Sequence, residues 1–106
     1  MSETVDVNKA IYSVMKTGKV VFGSRRSLNF LKLGKARLVI VASNIPKDLR
    51  EVIDYYSKLT LIPVYTYKGT SMDLGRVCGK SFPIMVMAIR EPGDSNIMEL
   101  VEKHEE

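Results

Sequence analysis

The sequence predicts an α/β protein, a three-layer α/β/α sandwich around a four-stranded mixed sheet, folded as a single domain over residues 1–106. Three observations support this class. Helical and strand patterns alternate along the chain, two strand patterns are continuously apolar, and no linker or low-complexity segment interrupts the 106 residues. Continuously apolar strands are typical of a sheet covered by helices on both faces, and this length holds one domain.

The first third of the chain predicts a helix, a strand and a second helix. Apolar residues recur at helical spacing over residues 7–17, and Gly18 is predicted to cap this helix in the left-handed conformation. Residues 19–22 predict a short strand. The second helix has Ser24 as its predicted N-cap and ends at Gly34.

The middle of the chain predicts a buried strand followed by a helix and a short strand. Residues 36–42, with the sequence ARLVIVA, are nearly all apolar, which predicts a central strand. Pro46 suits the first position of a third helix. The predicted inner face of this helix consists of Leu49, Val52, Ile53 and Tyr56. Pro63 then opens a strand over residues 64–67.

The last third predicts a short helix, a strand and a final helix. Residues 70–73 fit a capping box, which predicts the start of a fourth helix. The apolar residues 84–89 predict the fourth strand. After a turn at residues 92–93, Asp94 or Ser95 is the predicted N-cap of a fifth helix. Its predicted apolar face consists of Ile97, Leu100 and Val101.

The net charge of +4 is unevenly distributed along the chain. Residues 1–37 carry eight basic and two acidic side chains, and residues 38–90 carry seven basic and four acidic ones, whereas residues 91–106 carry one basic and six acidic ones. The body is therefore cationic, at +9, and the tail is acidic, at −5. A cationic body indicates an anionic partner, and this distribution favours nucleic acid.

The composition excludes several classes of protein. No apolar run approaches the roughly 18 residues that cross a bilayer, and the first four residues do not form a signal peptide, so we expect a cytoplasmic protein without a membrane partner. Cys78 is the single cysteine, which excludes an internal disulfide and a cysteine-cluster zinc site. Its apolar surroundings in the sequence predict a buried thiol.

Catalytic groups are not recognisable in the sequence. His104 is the only histidine and lies in the acidic tail, where a solvated side chain is expected. Residues 69–76 differ from a phosphate-binding P-loop, because five residues separate the glycines and Arg76-Val77 replaces the Lys-Ser/Thr pair. We therefore predict a protein that is not an enzyme and that needs no metal or cofactor.

The strongest binding signal is Gly23-Ser24-Arg25-Arg26, at a junction between a strand and a helix. Two arginines in the first turn of a helix oppose the helix dipole, at a cost of a few tenths to about 1 kcal/mol. A phosphate held by the free amides and the two guanidiniums would remove this conflict, and Gly23 would allow a nucleic-acid backbone to approach closely. A solvated surface pair is the alternative interpretation.

Two further places carry residues suited to nucleic acid. Asn44 follows the predicted central strand, where an amide serves either as a turn or cap residue or as a reader of a base edge. In the segment from Gly79 through Lys80 to Pro83, Phe82 stands outside the apolar strand. It either packs inward or offers a ring for stacking, worth about 1–3 kcal/mol per base.

These segments, taken in order, resemble the archaeal and eukaryotic large-subunit ribosomal proteins of the L-thirty-e family, a branch of the kink-turn RNA-binding superfamily. The resemblance covers nearly the full chain. It rests on TGKVVFG at residues 17–23, LVIVASN at 38–44, DYY at 54–56, VY at 64–65 with GT at 69–70, LG at 74–75 and PGDS at 92–95.

The resemblance implies an α/β/α sandwich that binds an RNA internal loop, bent at tandem sheared G·A pairs and carrying one extruded nucleotide. In the family, the loop matching residues 23–25 and the residue matching Asn44 meet the G·A pairs, and the loop matching residues 79–82 packs on the extruded base. The small ribonucleoprotein branch usually shows Asn-Glu where this chain has Ser24-Arg25-Arg26, which favours the ribosomal branch.

We therefore predict a non-catalytic large-subunit protein of the cytoplasmic ribosome that binds a kink-turn in ribosomal RNA. Other large-subunit components are expected partners, and the free protein is expected to be a monomer. The predicted RNA-binding residues are Gly23 and Ser24 for close backbone approach, Arg25 and Arg26 for phosphates or guanine, Asn44 for a base edge, Gly79 and Phe82 for the extruded base, and Lys47, Arg50 and Lys80 for phosphates.

Two alternatives stay open at the level of the sequence. The protein could be the kink-turn-binding core of a small guide ribonucleoprotein or a regulator of its own message. From a different class, it could be a protein-interaction module whose basic face docks an acidic partner.

Overall fold

A computed structural model of the chain describes residues 7–93, 97 and 98. Within those residues, helices and strands alternate from one end to the other. They are α1 (Val7–Thr17), β1 (Lys19–Phe22), α2 (Ser24–Lys32), β2 (Leu38–Val41), α3 (Lys47–Thr60), β3 (Val64–Thr66), α4 (Ser71–Val77) and β4 (Val86–Glu91).

The four strands form one mixed sheet in the order β1-β4-β2-β3. Strand β4 is antiparallel to both β1 and β2, whereas β2 and β3 are parallel. The two central strands, β2 and β4, are the ones with continuously apolar sequences, because their side chains are buried on both faces of the sheet.

Two helices cover each face of the sheet. Helices α1 and α4 pack on one face, around Ile11, Leu74 and the strand residue Ile40. Helices α2 and α3 pack on the other face, where Leu31 and Ile53 meet inward-facing strand residues. The predicted three-layer α/β/α sandwich with a mixed four-stranded sheet is therefore confirmed.

The strand directions bring four chain connections to one edge of the sheet. Phe22, at the end of β1, pairs with Met87, near the start of β4. Val41, at the end of β2, pairs with Val86 of β4 and with Thr66 at the end of β3. Three strands thus end, and the fourth begins, at the same edge, which we call the loop edge.

Gly18 does not have the predicted left-handed conformation. In the described chain, the glycines with positive φ are Gly23, Gly34, Gly79 and Gly93. A Cβ at Gly18 would press against the carbonyl oxygen of Glu91 and lie 2.8 Å from a methyl carbon of Val14. Glycine is required there because β4 passes too close for any side chain.

Three further local predictions need correction. Gly23, with φ of 96°, is the N-cap of α2, and Ser24 is the first helical residue. Val52, predicted on the inner face of α3, is 39% exposed. Strand β4 begins two residues later than predicted, because the backbone amide of Ile84 donates to the Ser71 carbonyl (3.0 Å) and not to the sheet.

The predicted fifth helix falls mostly outside the described residues. Its candidate caps, Asp94 and Ser95, and most of the acidic tail with His104 lie outside them as well. Ile97 is described and is buried in the core beneath α1 and α4.

Candidate nucleic-acid interface

The three segments predicted to bind RNA all leave from the loop edge. Residues 23–26 follow β1, residues 44–47 follow β2, and residues 79–82 precede β4. Backbone hydrogen bonds fix the ends of β1 and β2 beside the start of β4: the Gly23 amide donates to Val86 O (3.1 Å), and the Ala42 amide donates to Met85 O (2.8 Å). Segments that lie far apart in the sequence therefore form one continuous surface.

The first segment combines an uncapped helix start with free cations. No side chain caps the N-terminus of α2, and its first turn contains no acidic residue. Arg25 and Arg26 are exposed, and neither forms an ion pair with an acidic side chain in the described chain. Ser27 anchors the turn from below, since its hydroxyl lies 3.4 Å from the carbonyl oxygens of Val21 and Val86. The unpaired amides and guanidiniums suit an anion.

Asn44 joins the second segment to the start of α4. Its Oδ1 accepts from the Ser71 amide (2.9 Å), and its Nδ2 donates to the Ser71 hydroxyl (3.4 Å). The cap role that the sequence leaves open for asparagine is thus present, at a helix 27 residues further along the chain. One amide hydrogen of Asn44 remains for a base, while the oxygen is already engaged.

Lys47 and Arg50 differ in availability. Lys47 is the exposed first residue of α3 and forms no ion pair with the described acidic side chains. The Arg50 guanidinium donates through Nε to Asp54 (3.0 Å) and through Nη1 to the Thr66 hydroxyl (2.8 Å). Arg50 therefore ties α3 to the end of β3, and fewer of its N–H groups face solvent than the sequence alone suggests.

The third segment presents an aromatic ring. Gly79 has φ of 79°, and the Lys80 amide closes the turn by donating to Gly75 O (2.9 Å). Phe82 is 49% exposed, which agrees with the stacking interpretation and excludes the inward-packed one. The Lys80 ammonium lies 5.4 Å from the centroid of Phe22, so it links this segment to the end of β1.

Gly75 and Ser71 support the site, although the sequence does not single them out for this role. A Cβ on Gly75 would press against the Phe82 carbonyl oxygen and lie 3.2 Å from the Phe82 carbonyl carbon. Ser71 is buried, and it donates its amide hydrogen to Asn44 Oδ1 and accepts a hydrogen bond from Asn44 Nδ2 at its hydroxyl. A glycine inside a short helix pattern is the one sequence signal that indicates such a close backbone approach.

Ionisable groups in the described residues are not arranged for catalysis. Burial raises the pKa of the Cys78 thiol to about 11, so the thiol is protonated and unreactive at neutral pH. Burial also raises the pKa of Tyr65, and burial together with Asp73 raises that of Tyr67. Over the same residues, acidic, histidine and cysteine side chains form no group able to hold a metal ion.

Helix length and polarity bear on membrane insertion. Among the residues that the structure describes, no helix combines the length and the apolar character needed to cross a bilayer.

The model of the ribosomal protein L7Ae/L30e/S12e/Gadd45 family matches residues 5–99. This chain belongs to that family. The family predicted from the sequence is thereby confirmed, and with it the prediction of a ribosomal-type protein that is not an enzyme.

Several archaeal members of the family are similar to this chain over most of its length. The large ribosomal subunit protein eL30 of Methanocaldococcus jannaschii is 55% identical over 103 residues, which cover 97% of this chain and 94% of that protein. The protein of the same name from Methanothermobacter thermautotrophicus is 53% identical, covering 92% of this chain and 99% of its own. That of Saccharolobus solfataricus is 44% identical, covering 95% and 94%.

Proposed function

We propose that this family member is a large-subunit ribosomal protein that binds a kink-turn in ribosomal RNA through the loop edge. The observation that carries the proposal is the convergence of residues 23–26, 44–47 and 79–82 on one surface. Relatives named as large ribosomal subunit proteins support the ribosomal assignment. The cytoplasmic ribosome, with its RNA and other large-subunit components, is then the place of action, and the free protein is a monomer.

Each segment contributes a different kind of contact. The uncapped start of α2 and the exposed Arg25 and Arg26 bind phosphates or a guanine edge. The remaining amide hydrogen of Asn44 donates to a base, and Phe82 stacks on the extruded nucleotide. Because side chains cannot read base edges in the deep, narrow major groove of regular A-form RNA, a bent internal loop with unstacked bases is the substrate on which these three contacts can act together.

A paired RNA titration tests the proposal. The wild-type protein is titrated with a kink-turn RNA and with the same RNA in which the sheared G·A pairs are replaced by Watson–Crick pairs. We expect clearly tighter binding to the kinked RNA at equal salt. Weak and equal binding to both RNAs contradicts the proposal and favours a module that docks an acidic protein.

The identity of the RNA requires a separate measurement. Sequencing of the RNA that co-purifies with the tagged protein is expected to recover a large-subunit ribosomal RNA segment. Recovery of a small guide RNA, or of the protein's own message, would keep kink-turn binding but replace the ribosomal assignment.

A further inference from the structure

A groove of about 460 Å³ runs along the outer side of β1, an edge strand of the sheet. Among the strands of residues 7–93, β1 is outermost on its side and has β4 as its single neighbour. The groove, which we call the flank groove, begins at Arg26 near the loop edge and reaches Lys19 and Arg90 at the opposite end of the strand. Four strand residues make it about 10 Å long.

The flank groove is strongly cationic. Lys19, Arg26 and Arg90 line it, and none of the described acidic residues does. None of the three forms an ion pair with an acidic side chain in the described chain. The Arg90 guanidinium lies 4.9 Å from the centroid of Phe30, so the ring of α2 holds the charge over the groove.

The floor of the groove adds unpaired backbone groups. The Gly23 amide donates towards β4. Because hydrogen bonding alternates along an antiparallel strand, the amides and carbonyls of Val20 and Phe22 face away from β4, into the groove. An extended acidic peptide could pair with them, but a four-residue edge offers such a peptide few ladder bonds, whereas three cations without an acidic partner in the described chain suit a polyanion.

We infer that the flank groove binds the phosphate backbone of an RNA stem that leaves the loop edge. This inference rests on the proposed function, because Arg26 belongs both to the first RNA-binding segment and to the groove. Each strand of a nucleic-acid duplex carries one phosphate charge for about every 3.4 Å of helix axis, so more than one phosphate of a stem can lie beside the three cations of a groove about 10 Å long. The RNA contact thus extends from the kinked loop down the side of the protein.

The test compares Arg90→Gln with Lys58→Gln, which removes the same charge from an exposed lysine in the last turn of α3, outside the groove. Each protein is titrated with two kink-turn RNAs, one with stems cut to the minimum that closes the loop and one with long stems. Lys19→Gln, at the same end of the groove, is a second variant, and thermal unfolding of all proteins checks their fold.

For the long RNA, we expect Arg90→Gln to reduce the slope of log affinity against log salt by about 0.9, the value of one lost phosphate contact. Between 50 and 200 mM salt, wild-type affinity then falls about threefold further than that of the variant. The wild type and Arg90→Gln should bind the short RNA with equal affinity. Lys58→Gln should match the wild type in its affinity for the long and the short RNA.

Two results overturn the inference. One is that Arg90→Gln and Lys19→Gln bind the long RNA as Lys58→Gln does. The other is that they weaken binding of a glutamate-rich peptide while leaving RNA binding unchanged. If the wild type shows no preference for the kinked RNA, the proposed function fails. If that preference persists while the groove variants have no effect, only the groove assignment fails.

Discussion

Substitution of Gly75 by alanine should damage the RNA-binding surface without touching a residue that contacts RNA. Gly75 lies in α4 with its α-carbon facing the backbone of residues 82–83. The new Cβ would lie 3.2 Å from the Phe82 carbonyl carbon and 3.4 Å from the Pro83 α-carbon, and it would overlap the Phe82 carbonyl oxygen. Since these are backbone atoms, the segment carrying Phe82 has to move.

The expected loss of stability follows from two opposing terms. An extra carbon in a well-packed site costs about 1–3 kcal/mol, and alanine gains about 1 kcal/mol over glycine in a helix. We therefore expect a net loss of up to about 2 kcal/mol, which lowers Tm by up to about 16 °C for a domain of this size. Thermal unfolding by circular dichroism measures this change.

The functional loss comes from the displaced ring. If Phe82 no longer reaches the extruded base, stacking worth about 1–3 kcal/mol is lost, and kink-turn affinity falls by about 5- to 150-fold. Gly34→Ala is the matched control, because Gly34 has φ of 70° at the far end of α2 and its added Cβ meets nothing within 4 Å. It should lower Tm through backbone strain and leave RNA affinity unchanged.

A double substitution decides whether Gly75 acts through Phe82. The combined variant Gly75→Ala/Phe82→Ala should bind kink-turn RNA no more weakly than Phe82→Ala alone, because the ring is lost only once. Additive losses would refute the reasoning, as would a Gly75→Ala protein with wild-type Tm and affinity.

Three other predictions concern single side chains. Asn44→Ala removes the acceptor of the Ser71 amide, so it should cost about 0.5–2 kcal/mol of stability and should selectively weaken binding to the kink-turn RNA. Asn44→Asp keeps that acceptor and should lower RNA affinity alone. Equal losses of affinity for a plain duplex and for the kink-turn RNA rule out base reading. Lys47→Ala should weaken binding to all RNAs and reduce the salt slope by about 1, and an unchanged slope speaks against a phosphate contact. The free energy of unfolding, measured with urea between pH 9 and about 11, should fall more steeply for the wild type than for Cys78→Ala. The reason is that the thiol of Cys78 ionises in the unfolded chain while the buried thiol stays protonated. Parallel curves of unfolding free energy against pH contradict a buried protonated thiol.

Local sequence signals predict most of the elements, because each carries its own physical cue. The capping box at Thr70 and Asp73 is present with both hydrogen bonds, and Gly34 ends α2 with a positive φ. The boundaries of β1 match the prediction, and β2 is central and buried as its apolar sequence indicates. These features depend on neighbours in the sequence, so a single chain suffices to predict them.

Contacts between distant segments could not be predicted in the same way. Three contacts depend on how the strands are ordered: the hydrogen bonds between Asn44 and Ser71, the contact of Arg50 with Thr66 and the close approach of Gly75 to Phe82. The alternation of elements does not specify that order. The predicted conformation of Gly18 is wrong for the same reason, because the close approach of strand β4, a distant segment, is what requires glycine at that position.

Backbone amide exchange with and without kink-turn RNA tests the central claim most directly, since it reports which part of the fold the RNA covers. We expect bound RNA to slow exchange at residues 23–26, 44–47 and 79–82 together, and to leave exchange unchanged on the face of α3 that carries the exposed Tyr55 and Leu59. Slowed exchange on that face of α3, with no change in the three segments of the loop edge, would contradict the central claim.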